Sequence, residues 1–285
     1  MINDHSFYLP GSRTGVLLIH GLTGTPNEMR GIARTLNQAG YSVYGVQLAG
    51  HCGSLEDLVQ TRWEDWFASV YQGALILKKH VDEIFVAGLS MGALLALQYA
   101  SQYPVSGVIS YSPTFRYDGW SIPRWSKLAG PLLLPPIYHL NLFPNRTFDE
   151  AEPYGIKNEP LRARIVHSMQ SGDSAEAGLP GNPWHSLYQL QRLSRQVKKN
   201  LSKIKAPSLS IHAYNDDVAD RNNSQIIYDR VQGEKKLVWL HNSYHMITID
   251  NDRKQVISES INFIQKHSKV NMNDHPQTMT QHSSV

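Results

Sequence analysis

The sequence predicts an α/β fold: a mostly parallel central sheet with helices on both faces, interrupted by an inserted helical cap. Three observations predict it. Short apolar, β-branched runs alternate with helical patterns along most of the chain, and strands alternating with helices build parallel sheets. One interval of 93 residues, Thr114 to Ala206, breaks that alternation. The 285 residues are 41% hydrophobic and 18% charged, enough to bury a sizeable core, which excludes global disorder.

The elements follow in order. Val16–Ile19 reads as a strand ending at His20-Gly21. Asn27–Ala39 reads as a helix, with Met29, Ile32, Ala33 and Leu36 at helical spacing and Gly40 as its stop. Tyr41–Val46 is strand-like, Trp63–Lys79 a long helix, Glu83–Ala87 a strand and Ala93–Ala100 a helix. Val105–Tyr111 is a further strand. Past the long interval come Ser208–Ala213 (strand), Ser224–Val231 (helix), Lys236–Leu240 (strand) and Arg253–Lys266 (helix). A sheet of this kind holds its chemistry at the carboxyl ends of its strands.

The interval from Thr114 to Ala206 holds nine of the fifteen prolines and Trp120, Trp125 and Trp184. Long loops without structure of their own are uncommon, and this aromatic content argues against a solvated linker. The interval therefore reads as a cap of short helices, which gives a core of residues 1–113 and 207–269 and a cap of 114–206. The polar tail, 270–285, reads as unstructured.

The net charge of +3 is thin cover for a nucleic-acid footprint. Cys52 is the single cysteine, so an intrachain disulfide and a cysteine metal cluster are both excluded. The first twenty residues carry no basic start, apolar stretch and small-residue cleavage site. Leu132 to Phe143 is apolar but contains two prolines, a His and an Asn, far short of the ~20 residues of a membrane span. The expectation is a cytoplasmic protein with no nucleic-acid partner and no stable membrane insertion.

Residues 83–100 carry the most informative motif. A strand runs into Gly88-Leu89-Ser90-Met91-Gly92, and a helix follows at once. That is the context in which G-x-S-x-G marks a nucleophile on a sharp turn. Gly88 and Gly92 flank Ser90 where a Cβ would clash. A helix starting at Ser90 aims free N–H groups at the site, and the Met91 N–H is placed to stabilise an oxyanion.

A serine hydroxyl needs an adjacent base, itself oriented by a third group. Of the histidines after Ser90, His245 lies on the loop past a late strand, whereas His241 directly continues that strand. The acid should follow the preceding strand. Asp216, Asp217 and Asp220 crowd that loop; Asp220 fits a capping role, and Asp216 and Asp217 both remain candidates.

With Ser90, an acid loop and His245 in that order, the sequence resembles the α/β-hydrolase superfamily, and within it the bacterial carboxylesterase and monoacylglycerol-lipase group. The matching segments are VLLIHGLTGTPNEM, YSVYGVQLAGHCGSLEDLVQTRWEDW, GLSMGALLAL, SLSIHAYNDDVADRNNSQIIYDRV and HNSYHMITIDNDRKQV, about two-thirds of the chain. The resemblance implies the α/β-hydrolase fold, with Ser90 as nucleophile, Asp216 as orienting acid and His245 as base. The family has a hydrophobic residue two after its acid, and Val218 stands two after Asp216, which favours Asp216. His20-Gly21-Leu22 matches the family's His-Gly-aromatic, whose third residue gives the other oxyanion N–H, with Leu22 replacing the usual Phe. Cys52 stands where the family has Gly; it reads as a small buried hydrophobe, with a redox-sensitive thiol as the alternative.

The expected activity is that of a serine carboxylesterase acting on short- to medium-chain esters or monoacylglycerols, with a small-molecule ester as partner. Neither metal nor organic cofactor is needed, and neither HExxH nor paired Cys is present. The cap's Trp120, Leu132, Leu133 and Leu134 suggest an apolar acyl slot. A thioesterase or acyltransferase using the same triad is the enzymatic rival, and a non-catalytic binding module the other.

Overall fold

The computed structural model describes residues 2–149, 152–170, 178–179 and 181–270. The chain enters through β1 (Phe7–Leu9) and β2 (Thr14–Ile19), then α1 (Arg30–Gln38) and β3 (Ser42–Val46). Two helices, α2 (Leu55–Val59) and α3 (Trp63–Lys78), lead to β4 (Glu83–Leu89), α4 (Met91–Ala100) and β5 (Gly107–Tyr111). The inserted stretch holds α5 (Arg124–His139), β6 (Thr147–Asp149), α6 (Glu159–Gln170) and β7 (Gly181–Pro183), followed by α7 (Trp184–Asn200). The chain returns through β8 (Ser208–Ala213), α8 (Asn222–Arg230), β9 (Lys235–Leu240) and α9 (Arg253–His267).

Seven strands form one sheet in the order β1-β3-β2-β4-β5-β8-β9. All neighbours are parallel except β1, which runs antiparallel to β3 at the edge. Parallel strands buried on both faces read as continuous apolar runs, and every residue of β2, β3 and β5 is buried. One face packs against α1 and α9 through Ile32, Leu36, Val256 and Phe263. The other packs against α3, α4, α7 and α8 through Trp66, Leu94, Leu193 and Ile227. All ten residues of α4 are buried, which is why its sequence is apolar all round.

The predicted core elements are all present, with ends shifted by at most three residues. The helix expected over Asn27–Ala39 begins as a 3-10 turn at Pro26–Met29, capped by the Thr25 side chain, before α1 proper. β1 was not anticipated; three residues are too short for an alternation signal.

The described elements of the interval 114–206 pack in two different ways. In α7, Leu190, Leu193 and Val197 join the same buried cluster as Leu94 and Leu97 of α4. A helix with that apolar stripe belongs to the layer over the sheet, although among the described residues no strand of the seven-stranded sheet precedes it in the interval. The smaller pieces are α5, α6 and the antiparallel pair β6 and β7. α5 has no buried residue, contains Pro131, Pro135 and Pro136, and leans on α7, where the rings of Tyr138 and Tyr188 are 4.6 Å apart. Beyond Val270, the predicted tail lies outside the described residues. Among the described residues, no helix is long and apolar enough to cross a membrane.

Candidate active site

β4 delivers Ser90 at φ 57° and ψ −115°, a conformation L residues rarely adopt. The flanking glycines permit the tight turn. A Cβ on Gly88 would come within 2.2 Å of the Gly92 carbonyl, and one on Gly92 within 2.3 Å of the Ile19 carbonyl oxygen. The Ser90 N–H donates to Tyr111 O of β5 at 2.9 Å. Its Oγ lies 3.0 Å from Thr114 Oγ1. Thr114 donates its own hydroxyl to Ser112 O at 3.1 Å, so Ser90 is the donor of that pair.

The loop after β8 carries the acids, and the structure separates the two candidates. Asp216 Oδ2 accepts from His245 Nδ1 at 2.8 Å, and Oδ1 accepts the Val218 and Ala219 N–H groups, each at 2.8 Å. Burial works to raise the Asp216 carboxyl, but the charge of His245 and hydrogen bonds from His212 and His245 outweigh it and hold it below the ordinary carboxylate range. Asp217 does a different job. Its Oδ2 accepts the Gly155 N–H at 2.9 Å and its Oδ1 the His245 N–H at 3.3 Å. Burial and the neighbouring Asp216 charge push the Asp217 carboxyl up.

His245 sits on the loop after β9, held from below by a third carboxylate. Asp250, fully buried, accepts the N–H groups of Tyr244, Lys157 and Asn158 at 2.8–3.0 Å. Met246 N–H donates to Gly155 O at 2.8 Å. The turn at 155–158 is thereby pinned to the histidine loop.

The loop after β2 is organised by His20. Its Nδ1 is 2.9 Å from Gly21 O, and its Nε2 accepts the Leu48 N–H at 3.2 Å, so the ring proton is on Nδ1. The Gly21 carbonyl and the Leu22 N–H belong to one planar peptide unit, so the ring sets the plane in which that N–H points. His51 packs edge-on to His20 at 4.9 Å. Burial pushes both rings down, His20 well below its usual value and His51 to about 4. Cys52 next to it is half-buried at φ 63°.

Ser90, His245 and Leu22 open into one cavity of ≈ 760 Å³. Its walls include Ile122, Phe148, Ile156, Ile165, Leu179 and Val218. Glu28, Asp149 and Asp217 also line it; among the described residues no Lys or Arg does. No described group of three or more His, Cys, Asp or Glu is placed to hold a metal ion.

Ser90, Asp216 and His245 are brought together as the sequence anticipated, Leu22 lies on the cavity, and Met91 opens α4 directly behind Ser90. The cap residues named from the sequence lie elsewhere. Trp120, Leu132 and Leu133 are 56%, 75% and 51% exposed, Leu134 is half-buried, and none of the four lines the cavity. The Trp120 indole N–H instead donates to Asn215 O at 3.1 Å. The chain turns inward at Ser121–Pro123 and α5 then runs away over the surface. Hydrophobicity alone ranked these residues, and it says nothing about which side of a helix meets the site. Thr114, Asp250 and the turn at 155–158 escape sequence reasoning because the contacts that tie them to the site, Ser90 to Thr114, Gly155 to Asp217 and Lys157 and Asn158 to Asp250, join segments 24 or more residues apart.

The fold and its Gly88–Gly92 elbow define the α/β-hydrolase class. The sequence profile of the family described as serine aminopeptidase, S33, matches residues 11–252, and the chain belongs to that family. It is 34% identical over 265 residues to the thermostable monoacylglycerol lipase of Bacillus sp. (strain H-257), covering 92% of this chain and 94% of that one. Over 268 residues it is 27% identical to a carboxylesterase of Bacillus subtilis (strain 168), covering 93% and 98%. Among solved structures, one from the metagenome-derived lipolytic enzymes LipS and LipT superposes with a TM-score of 0.75 at 29% identity, over 92% of this chain and 97% of that one. A soluble variant of the Saccharomyces cerevisiae monoglyceride lipase shares the fold at a TM-score of 0.74 and 19% identity, over 93% and 92%. The chain is a carboxylic ester hydrolase of the esterase and lipase type.

Proposed function

We propose that Ser90 is the nucleophile, His245 the general base and Asp216 the orienting acid, acting on neutral carboxylic esters with short to medium acyl chains, monoacylglycerols among them. One observation carries this reading: Ser90, held at a strained φ, opens into the same cavity as His245, whose ring is bonded to Asp216. Ser90 Oγ turns from Thr114 and attacks the ester carbonyl while His245 takes its proton. The N–H groups of Leu22 and Met91 hold the oxyanion, the first oriented through His20. His245 then protonates the leaving alcohol, and water attacks the acyl-enzyme by the same route.

The apolar walls suit an alkyl chain. A lining that holds carboxylates and, among the described residues, no Lys or Arg favours neutral esters over polyanionic thioesters such as acyl-CoA. The Bacillus relative named as a monoacylglycerol lipase supports the glyceride choice. Exposed Trp125, Leu128 and Leu132, just past the wall at Ser121–Pro123, suit esters presented in lipid aggregates. In this reading the cap is built from the described residues of 114–149, 152–170, 178–179 and 181–183, and 2–113 with 184–270 form the hydrolase core. The single cysteine suits a reducing compartment, the cytoplasm.

The test is a panel of p-nitrophenyl esters graded by chain length, with a monoacylglycerol and an acyl-CoA beside it. Neutral esters should be hydrolysed and the acyl-CoA poorly. A fluorophosphonate should label Ser90, and Ser90→Ala should remove nearly all turnover. Label on another residue, or most of kcat surviving in Ser90→Ala, would overturn the reading.

A further inference from the structure

A second histidine reaches the carboxylate that orients His245. The β8 sequence Ser208-Leu-Ser-Ile-His-Ala213 alternates, so Leu209, Ile211 and Ala213 enter the apolar cluster on one face. Ser208, Ser210 and His212 project to the other. His212 is completely buried, and its Nε2 lies 3.1 Å from Asp216 Oδ2 and 2.9 Å from Ala219 O. Its Nδ1 lies 2.8 Å from Ser224 Oγ on α8. Ser224 in turn receives the Ser210 hydroxyl at 2.8 Å, which leaves its own hydrogen for Nδ1. A carbonyl cannot donate, so the Nε2 proton is shared between Ala219 O and Asp216 Oδ2.

Asp216 therefore has four donors for its four lone-pair sites: two backbone N–H groups on Oδ1, and His245 and His212 on Oδ2. The loop contacts leave one oxygen free to swing out of the His245 plane; His212 supplies the contact from the sheet that stops it. A burial role alone would not require a histidine whose two nitrogens both meet polar partners in the middle of a sheet.

We propose that His212 is a positioning residue for the triad: through Ser210 and Ser224 its Nε2–H is aimed at Asp216, fixing that carboxylate and tempering its pull on His245. The inference rests on the proposed roles of Asp216 and His245. Removing a hydrogen-bond donor from a carboxylate makes it more basic, and a more basic Asp216 favours the protonated form of His245. Among the described residues, the other charged groups near this pair are Asp217, bonded to the His245 N–H, and Glu28 and Asp149, which line the cavity His245 opens into.

The experiment measures kcat/KM against pH for p-nitrophenyl butyrate. His212→Leu should move the acid limb up by about half to one pH unit and lower the plateau roughly 10-fold, with KM little changed. His212→Gln, whose amide N–H reaches the same place, should restore the limb. Ser224→Ala should shift it in the same direction by less, and decides the matter if His212→Leu does not fold. An unmoved acid limb in His212→Leu, or in Ser224→Ala should that replacement be needed, overturns the proposal, as does a His212→Gln profile matching His212→Leu. An Asp216→Asn control that stays active would sink the triad itself. Inactive Asp216→Asn beside an unmoved limb would sink only the role of His212.

Discussion

The Gly155 N–H donates to Asp217 Oδ2 at 2.9 Å, tying the turn that follows β6 to the acid loop after β8. The same carboxylate takes the His245 N–H, and Ser121 donates both its N–H and its hydroxyl to Asp217 O, at 3.0 and 2.7 Å. Asp217 is thus the rivet between inserted segment and histidine loop, while its neighbour Asp216 holds the histidine ring.

Adjacent aspartates with different partners predict different losses. Asp216→Asn should cut kcat by about 10³–10⁴, because the His245 tautomer loses its acceptor. Asp217→Asn should keep kcat within about 10-fold but lower the melting temperature by several degrees, since one of two buried N–H groups loses its acceptor. Steady-state kinetics and thermal melts on the two variants check this; the reverse ranking would move the acid to Asp217.

Much of this was legible in the chain. The alternation of apolar runs and helices specified the sheet, because β2, β3 and β5 are buried on both faces and are mostly apolar. Ser90 was legible because strand, paired glycines and helix are contiguous. The choice between Asp216 and Asp217 was weaker, since both follow β8 by a few residues and only the loop's fold decides which carboxylate meets the ring. His212 had a readable signal, a polar face of Ser, Ser and His on a strand whose other face is apolar. The cap was least legible: Ile122 and Phe148 reach the cavity and Leu132 does not, for reasons set by long-range packing.

Acid should destabilise the protein through its buried histidines before Asp216 titrates. His20 and His51 are buried with pKa values pushed down, His51 to about 4, so below about pH 6.5 the unfolded chain binds protons that the folded one refuses. That stability is fully present above the unfolded value and is lost as pH falls toward the folded one. His51 alone should cost about 2 kcal/mol by pH 5. Asp216, held low, adds its loss only below about pH 4; Asp217, pushed up, works in the opposite sense. Urea unfolding at pH 7, 6 and 5 measures the slope, and His51→Gln should flatten it.

Two glycines should respond oppositely to alanine. Gly92→Ala would drive a Cβ to 2.3 Å from a backbone oxygen of β2, and backbone cannot step aside; the cost should be about 3 kcal/mol or more, with loss of activity. Gly31, inside α1, has nothing within 4 Å of an added Cβ, so Gly31→Ala should stabilise by about 0.5–1 kcal/mol. Denaturant midpoints for both variants check the pair; equal and small effects would contradict the elbow's packing.

Acyl preference should be set where the inserted segment turns inward, not along its exposed helix. Ile122 and Phe148 line the cavity that Ser90 and His245 open into, whereas Leu132 and Leu133 stand on the outer surface of α5. An acyl chain that fills the cavity loses contact with any wall residue cut back to alanine, and each methylene in such a pocket is worth about 1–3 kcal/mol. An acetyl group reaches too little of the wall to feel the change. Ile122→Ala and Phe148→Ala should therefore alter the octanoate-to-acetate ratio of kcat/KM by about 10-fold or more. Leu132→Ala and Leu133→Ala should leave it within about 2-fold, because an exposed side chain offers the bound acyl group nothing to lose. Parallel kinetics on p-nitrophenyl acetate and octanoate decide it, and an unchanged ratio in Phe148→Ala together with a shifted one in Leu132→Ala would return the acyl site to the outer helix.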